Sequence, residues 1–181
     1  MRAAHLSSSR RYFMAFLPAL MASRHVTAQN APAVPPSSLA PDWGLPIWTA
    51  QGRASKDLTS RELLGQWVYL DFWASWCGPC KQSFPWMSQL QQQLRDQKLY
   101  VVAIGLDKQA EPMERFLKQF LGHVQVVWDP MAETAKRFEV QTMPSSYLIN
   151  PAGQIVMRHR GFLLADNAKL MQAILGRILA T

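Results

Sequence analysis

The chain holds two cysteines in 181 residues, and they stand two residues apart in Trp76-Cys77-Gly78-Pro79-Cys80. An apolar run of strand length, Trp67 to Trp73, leads into them, and a polar stretch of helical character follows. Cys-x-x-Cys between a strand and a helix is a setting for redox chemistry. Two cysteines one helical turn apart can close a small ring, with Cys77 left at the helix N-terminus. There unpaired backbone N–H groups and the helix dipole favour negative charge, so Cys77 can be a thiolate near neutral pH. Cys80, one turn in, is the resolving thiol. Two other readings of the pair stand beside this one. Half of a zinc site would need further ligands at short spacing, and His123 and His159 are isolated and distant in sequence. A purely structural disulfide closing so short a ring would remove little unfolded-chain entropy.

Asp71 is the only charged residue between Gln66 and Cys80. The strand around it alternates into Val68, Leu70, Phe72 and Trp67, Tyr69, Asp71, Trp73, both sets largely apolar, as in a strand buried on both faces. A carboxylate among these aromatics is costly to bury, and burial raises its pKa. Asp71 is therefore a candidate proton acceptor and donor for Cys80, unless it sits at a strand end that reaches water.

Asp71-Phe72-Trp73-Ala74-Ser75-Trp76-Cys77-Gly78-Pro79-Cys80-Lys81 resembles the thioredoxin active site. From about Ala40 to the C-terminus the chain resembles the TlpA/ResA branch of thiol–disulfide oxidoreductases, with Ala40-Pro41-Asp42-Trp43, Leu45-Pro46 and Gln51-Gly52 matching that branch's entry pattern. The resemblance implies an α/β thioredoxin-like fold, a central mixed sheet flanked by helices, with an N-terminal hairpin extension and an insertion over Glu111 to Trp128. It places Asp71 on the thioredoxins' buried aspartate. It makes Pro144 a cis-proline facing the cysteines, with the Met143 backbone aimed at an extended substrate segment. Cys77, Cys80 and Asp71 are then the catalytic candidates, and Trp76, Gly78, Pro79, Met143 and Pro144 the substrate-binding ones, Trp76 and Met143 forming an apolar rim. No metal is implied, and no cofactor beyond the Cys77–Cys80 disulfide itself. One departure stands out: the branch usually has a glutamate three residues after the second cysteine, and this chain has Ser83.

The remaining pattern supplies the elements that position these residues. Thr59 and Glu62 form a capping box for one helical turn ending near Gly65. Lys81–Lys98 reads as a helix kinked at Pro85, Leu99–Leu106 as a buried strand ended by Asp107, and Glu111–Leu121 as a helix. Val124–Trp128 reads as a short strand, Pro130–Phe138 as a helix, and Ser145–Ile149 as a strand. A turn at Pro151–Gln154 leads into Ile155–His159, and Asp166–Leu179 is the last helix. Strands alternating with helices imply parallel pairing in the first half.

The N-terminal stretch has another character. Residues 1–28 hold four arginines and no acid, an 11-residue apolar run from Tyr12 to Ala22, and small residues at Val26-Thr27-Ala28. That is a signal-peptide pattern, and 11 residues with Pro18 among them are too few to span a bilayer. Ser9-Arg10-Arg11-Tyr12-Phe13-Met14 resembles the twin-arginine export motif; export by the general secretory route and retention as an uncleaved anchor are the alternatives. Residues 29–41 are Pro/Ala/Ser-rich and read as a linker, leaving 42–181 as the thioredoxin-like domain. Residues 1–28 carry four of the 19 basic residues, so the remainder has 15 basic against 12 acidic, net +3 rather than +7. That balance, with no Lys/Arg cluster, gives no support to nucleic-acid binding.

The expected function is periplasmic reduction of disulfides in client proteins, fed by a membrane or periplasmic thiol donor. A disulfide oxidase or isomerase, or a redox-dependent module that binds a metal or metallochaperone, are the alternatives. Cytochrome c maturation, copper-centre assembly and general disulfide repair are equally compatible with the residues.

Overall fold

The computed structural model describes residues 38–120 and 122–180, all within one compact unit, Val34–Thr181. The expected signal peptide, and the expected linker as far as residue 37, lie outside the described residues.

β3 (Trp67–Trp73) is buried at every position and organises the rest. β4 (Leu99–Gly105) lies parallel beside it, from Trp67 opposite Leu99 to Trp73 opposite Gly105. β5 (Gln125–Trp128) runs parallel to β4. On the other side β6 (Ser145–Ile149) and then β7 (Ile155–Arg160) are antiparallel. β1 (Gly44–Thr49) and β2 (Gly52–Thr59) form the N-terminal hairpin, which joins the sheet through Ile47 opposite Val127. The seven strands run β2-β1-β5-β4-β3-β6-β7, the mixed sheet the sequence implies, with its parallel part in the first half.

The two alternating sets of β3 go to two cores. Trp67, Tyr69 and Trp73 pack with Phe84, Met87 and Leu90 of α1 (Gly78–Gln93), Met113 and Phe116 of α2 (Ala110–Gln119), and Leu170 and Ile174 of α4 (Asn167–Leu179). Val68, Leu70 and Phe72 pack with Trp43, Leu58, Leu63 and Phe138 on the opposite face, where α3 (Glu133–Arg137) also lies. Each large side chain so buried contributes roughly 2–3 kcal/mol. Asp71 belongs to the first set, the side that also holds both cysteines. Gly105 is required where α2 closes on the sheet, since a Cβ there would stand 2.6 Å from the Met113 sulfur.

Several boundaries differ from expectation. α1 begins at Gly78 rather than Lys81, because Pro79 in its first turn has no N–H to leave unpaired. It ends at Gln93, followed by a separate 3-10 turn, Arg95–Gln97, that closes on left-handed Lys98. α3 covers Glu133–Arg137 rather than Pro130–Phe138, because Ala132 is left-handed (φ 54°) and the Asp129 carboxylate starts the helix by accepting from the N–H groups of Glu133, Thr134 and Ala135. The Thr59–Glu62 capping box is present and opens a 3-10 turn over Ser60–Leu63. The end of the expected 29–41 linker belongs to the domain: Leu39 bridges Gln154, Ala40 N–H donates to the Gly153 carbonyl at 2.8 Å, and Ser38 accepts from Ile155 N–H at 3.0 Å.

Candidate active site

β3 ends at Trp73, and the chain then crosses the sheet end in a loop held from below. Asp107, buried just past the end of β4, accepts from the Ser75 N–H at 2.9 Å and from its hydroxyl at 2.6 Å. The Asp107 carbonyl in turn accepts from the Trp128 indole N–H at 2.7 Å. Ser75 is thereby fixed two residues before Cys77, and Trp76 is left 69% exposed at the rim.

Cys77 is the N-cap of α1, with extended backbone, and its Sγ accepts from the Cys80 N–H at 3.2 Å. The pair is oxidised, with an S–S bond of 2.02 Å. The two cysteines are not equivalent: Cys77 keeps 5% exposure and lines a groove, and Cys80 is fully buried. A groove of ≈ 580 Å³ opens over Cys77, lined on one side by Trp76, Gly78 and Pro79 and on the other by Thr142, Met143 and the α3 face. The Met143–Pro144 bond is cis. Of the expected substrate-binding residues, the fold brings Trp76, Gly78, Pro79 and Met143 to one groove; Pro144 is buried beside it and does not line it.

Asp71 lies beneath, in the sheet and outside the groove. It is 1% exposed, so it is not a strand-end acid reaching water. Among the described residues, Oδ2 accepts one hydrogen bond, from the Ser146 hydroxyl at 2.7 Å, and Oδ1 has no partner. Burial pushes its pKa from 3.8 up to about 7, against the smaller opposing effect of the Ser146 hydrogen bond. Ser83, at the position of the branch's usual glutamate, is buried and donates to the Cys80 carbonyl at 3.0 Å, so no carboxyl group enters the site from there.

Three site-shaping residues went unassigned by sequence reasoning: Asp107, Asp129 and Ser146. Ser146 had a signal, since two consecutive serines open an otherwise apolar strand, but only the register places it opposite Asp71. Asp107 marked the end of a strand and nothing more. Among the described residues no group of three or more His, Cys, Asp or Glu side chains is placed to hold a metal ion.

The AhpC/TSA family model matches residues 36–158. The thiol–disulfide oxidoreductase ResA of Bacillus subtilis is 27% identical over 153 residues, 83% of this chain and 86% of that protein. Among solved structures, a Chlorobium tepidum protein assigned as thiol:disulfide interchange protein DsbE superposes with a TM-score of 0.72 at 39% identity, covering 78% of this chain and 96% of that one. StoA of Bacillus subtilis superposes at 0.57 with 27% identity, covering 78% and 99%. With a Cys-x-x-Cys disulfide at the helix N-terminus of a thioredoxin-like sheet, the chain belongs to the AhpC/TSA family and is a ResA-like thiol–disulfide oxidoreductase.

Proposed function

We propose that the protein is an exported reductase of disulfides in client proteins, with Cys77 as nucleophile, Cys80 as resolving thiol and Asp71 as the group that takes the Cys80 proton. The observation that carries this is the asymmetry of the pair: Cys77 opens onto the groove, while Cys80 is closed off on the same side of the sheet as a buried carboxyl group with a free oxygen.

The reduced Cys77 thiolate attacks one sulfur of a client disulfide. A Cys77–client bond forms, the client S–S bond breaks and the first client thiolate leaves. Asp71 then accepts the Cys80 proton, and the Cys80 thiolate attacks Cys77 Sγ. The second client thiolate departs and takes a proton, and the enzyme is left as the Cys77–Cys80 disulfide. Two electrons have passed to the client, and a thiol donor must return two before the next cycle. The groove wall at Trp76 and Met143 supports an apolar, extended client segment.

Reduction rather than oxidation is favoured by the residues between the cysteines. Gly78 and Pro79 bring no cation to Cys77, and Cys-Gly-Pro-Cys is the thioredoxin dithiol, with a potential of about −270 mV. Export is supported by the signal-peptide pattern of residues 1–28. The donor is proposed to be a membrane or periplasmic dithiol. In an insulin disulfide-reduction assay the protein turns over, Cys77→Ser abolishes turnover, and Cys80→Ser accumulates a Cys77–client mixed disulfide. Turnover retained in Cys77→Ser overturns the assignment.

A further inference from the structure

The Asp71 carboxyl has two oxygens, and the structure treats them differently. Oδ2 receives the Ser146 hydroxyl; Oδ1 is enclosed without a partner. Ser146 sits directly across from Asp71 on β6 and is itself 2% exposed. A serine hydroxyl has one proton to donate. The bond to Asp71 commits that proton to Oδ2.

We propose that Ser146 is the positioning residue of the proton transfer: it holds the Asp71 carboxyl in one orientation, so that Oδ1 alone exchanges a proton with Cys80. This rests on the reading of Asp71 as the acceptor. The other neighbours are accounted for. β4 offers Ala103 opposite Asp71, and the α4 face against this core is Leu170, Ile174 and Ile178. The remaining titratable groups are Tyr69 on β3, the cysteines on α1, and His159 on β7, the cross-strand partner of Ser146. His159 is half-buried, with its pKa lowered by burial and raised less by Asp166. No ionic partner of Asp71 is present among these, so among the described residues the Ser146 hydroxyl is the one donor that favours its charged form. Removing it raises the pH at which Asp71 ionises. A hydrogen bond to a charged group corresponds to a shift of about one pH unit.

The test is single-turnover oxidation of the reduced full-length protein by insulin from pH 5 to 9, followed by tryptophan fluorescence. Wild type, Ser146→Ala, Ser146→Thr, Asp71→Asn and His159→Gln are compared. The expected result is an inflection in the resolution rate that vanishes in Asp71→Asn, moves up by about one pH unit in Ser146→Ala, returns in Ser146→Thr, and stays put in His159→Gln. An inflection unmoved in Ser146→Ala but lost in Asp71→Asn overturns the role of Ser146 and leaves that of Asp71 standing. An inflection that survives Asp71→Asn overturns the reading of Asp71 itself. One that moves in His159→Gln assigns the titration to His159 and overturns the proposal. A readout on wild type alone needs no variant to fold: a Ser146 hydroxyl proton committed to Asp71 gives a slowly exchanging NMR resonance that follows the Asp71 titration. A hydroxyl proton averaged with water contradicts it.

Discussion

A buried carboxyl group with a single hydrogen bond stores a proton; one with several donors anchors a backbone. The fold contains both kinds. Asp129 takes three N–H groups of α3, and Asp107 takes two donors from Ser75, whereas Asp71 takes one and keeps an oxygen free. The cost of Asp71 to the fold has a definite pH dependence. Its pKa is raised by burial from 3.8 to about 7, so the folded state binds the extra proton between those values. Stability is fully present below about pH 4 and falls as pH rises through 7, by on the order of 4 kcal/mol. Asp71→Asn removes this slope. Urea unfolding at pH 5 and pH 8 should show the wild type losing stability and the variant holding it; equal losses in both contradict the burial argument. Asp71 was legible in the sequence because a lone charge in an aromatic strand is conspicuous. Ser146 was legible only in part: two serines open an apolar strand, but only the strand register puts one of them beside an acid.

The elements each place part of the site, and two aspartates tie them together. Asp107→Ala leaves the Ser75 N–H and hydroxyl without their acceptor, at a cost of about 2 kcal/mol, and frees the loop that carries Trp76 and Cys77. Denaturant unfolding should show the loss, accompanied by slower attack of Cys77 on insulin; unchanged attack would mean the loop is fixed by other contacts. Asp129→Ala uncaps α3, also at a cost of about 2 kcal/mol. Because α3 supplies Ala135 and Lys136 to the groove wall, with its N-cap Ala132 beside them, the variant should raise KM for a client peptide more than it lowers kcat. A fall in kcat alone would place α3 outside client binding. The strands and the order of helices were readable from periodicity. The short α3 was not, because apolar residues at helical spacing around Pro130 conceal the left-handed Ala132 that delays the helix.

At the scale of the whole molecule, topology brings Met143 across one groove from the adjacent Trp76 and Cys77, though it lies far along the chain from them. The parallel β3–β4–β5 core follows from alternating strands and helices, and that part was legible. The long-range pairings were not: neither Ile47 opposite Val127 nor Leu39 beside Gln154 leaves a local signal. The second sets where the module begins. A chain starting at Asp42 loses the hydrogen bonds at Ala40 and Ser38 and should be less stable than one starting at residue 37 by about 2 kcal/mol. Calorimetry of the two checks this, and equal melting temperatures would restore 42 as the boundary. Whether this dithiol gives electrons to clients is read from the potential of the Cys77–Cys80 pair in defined thiol/disulfide buffers, with Trp76 beside it as the fluorescent reporter. The expected value lies below about −240 mV, that of a reductant needing a dedicated donor. A value above about −180 mV would make the pair a source of disulfides and contradict the proposed direction.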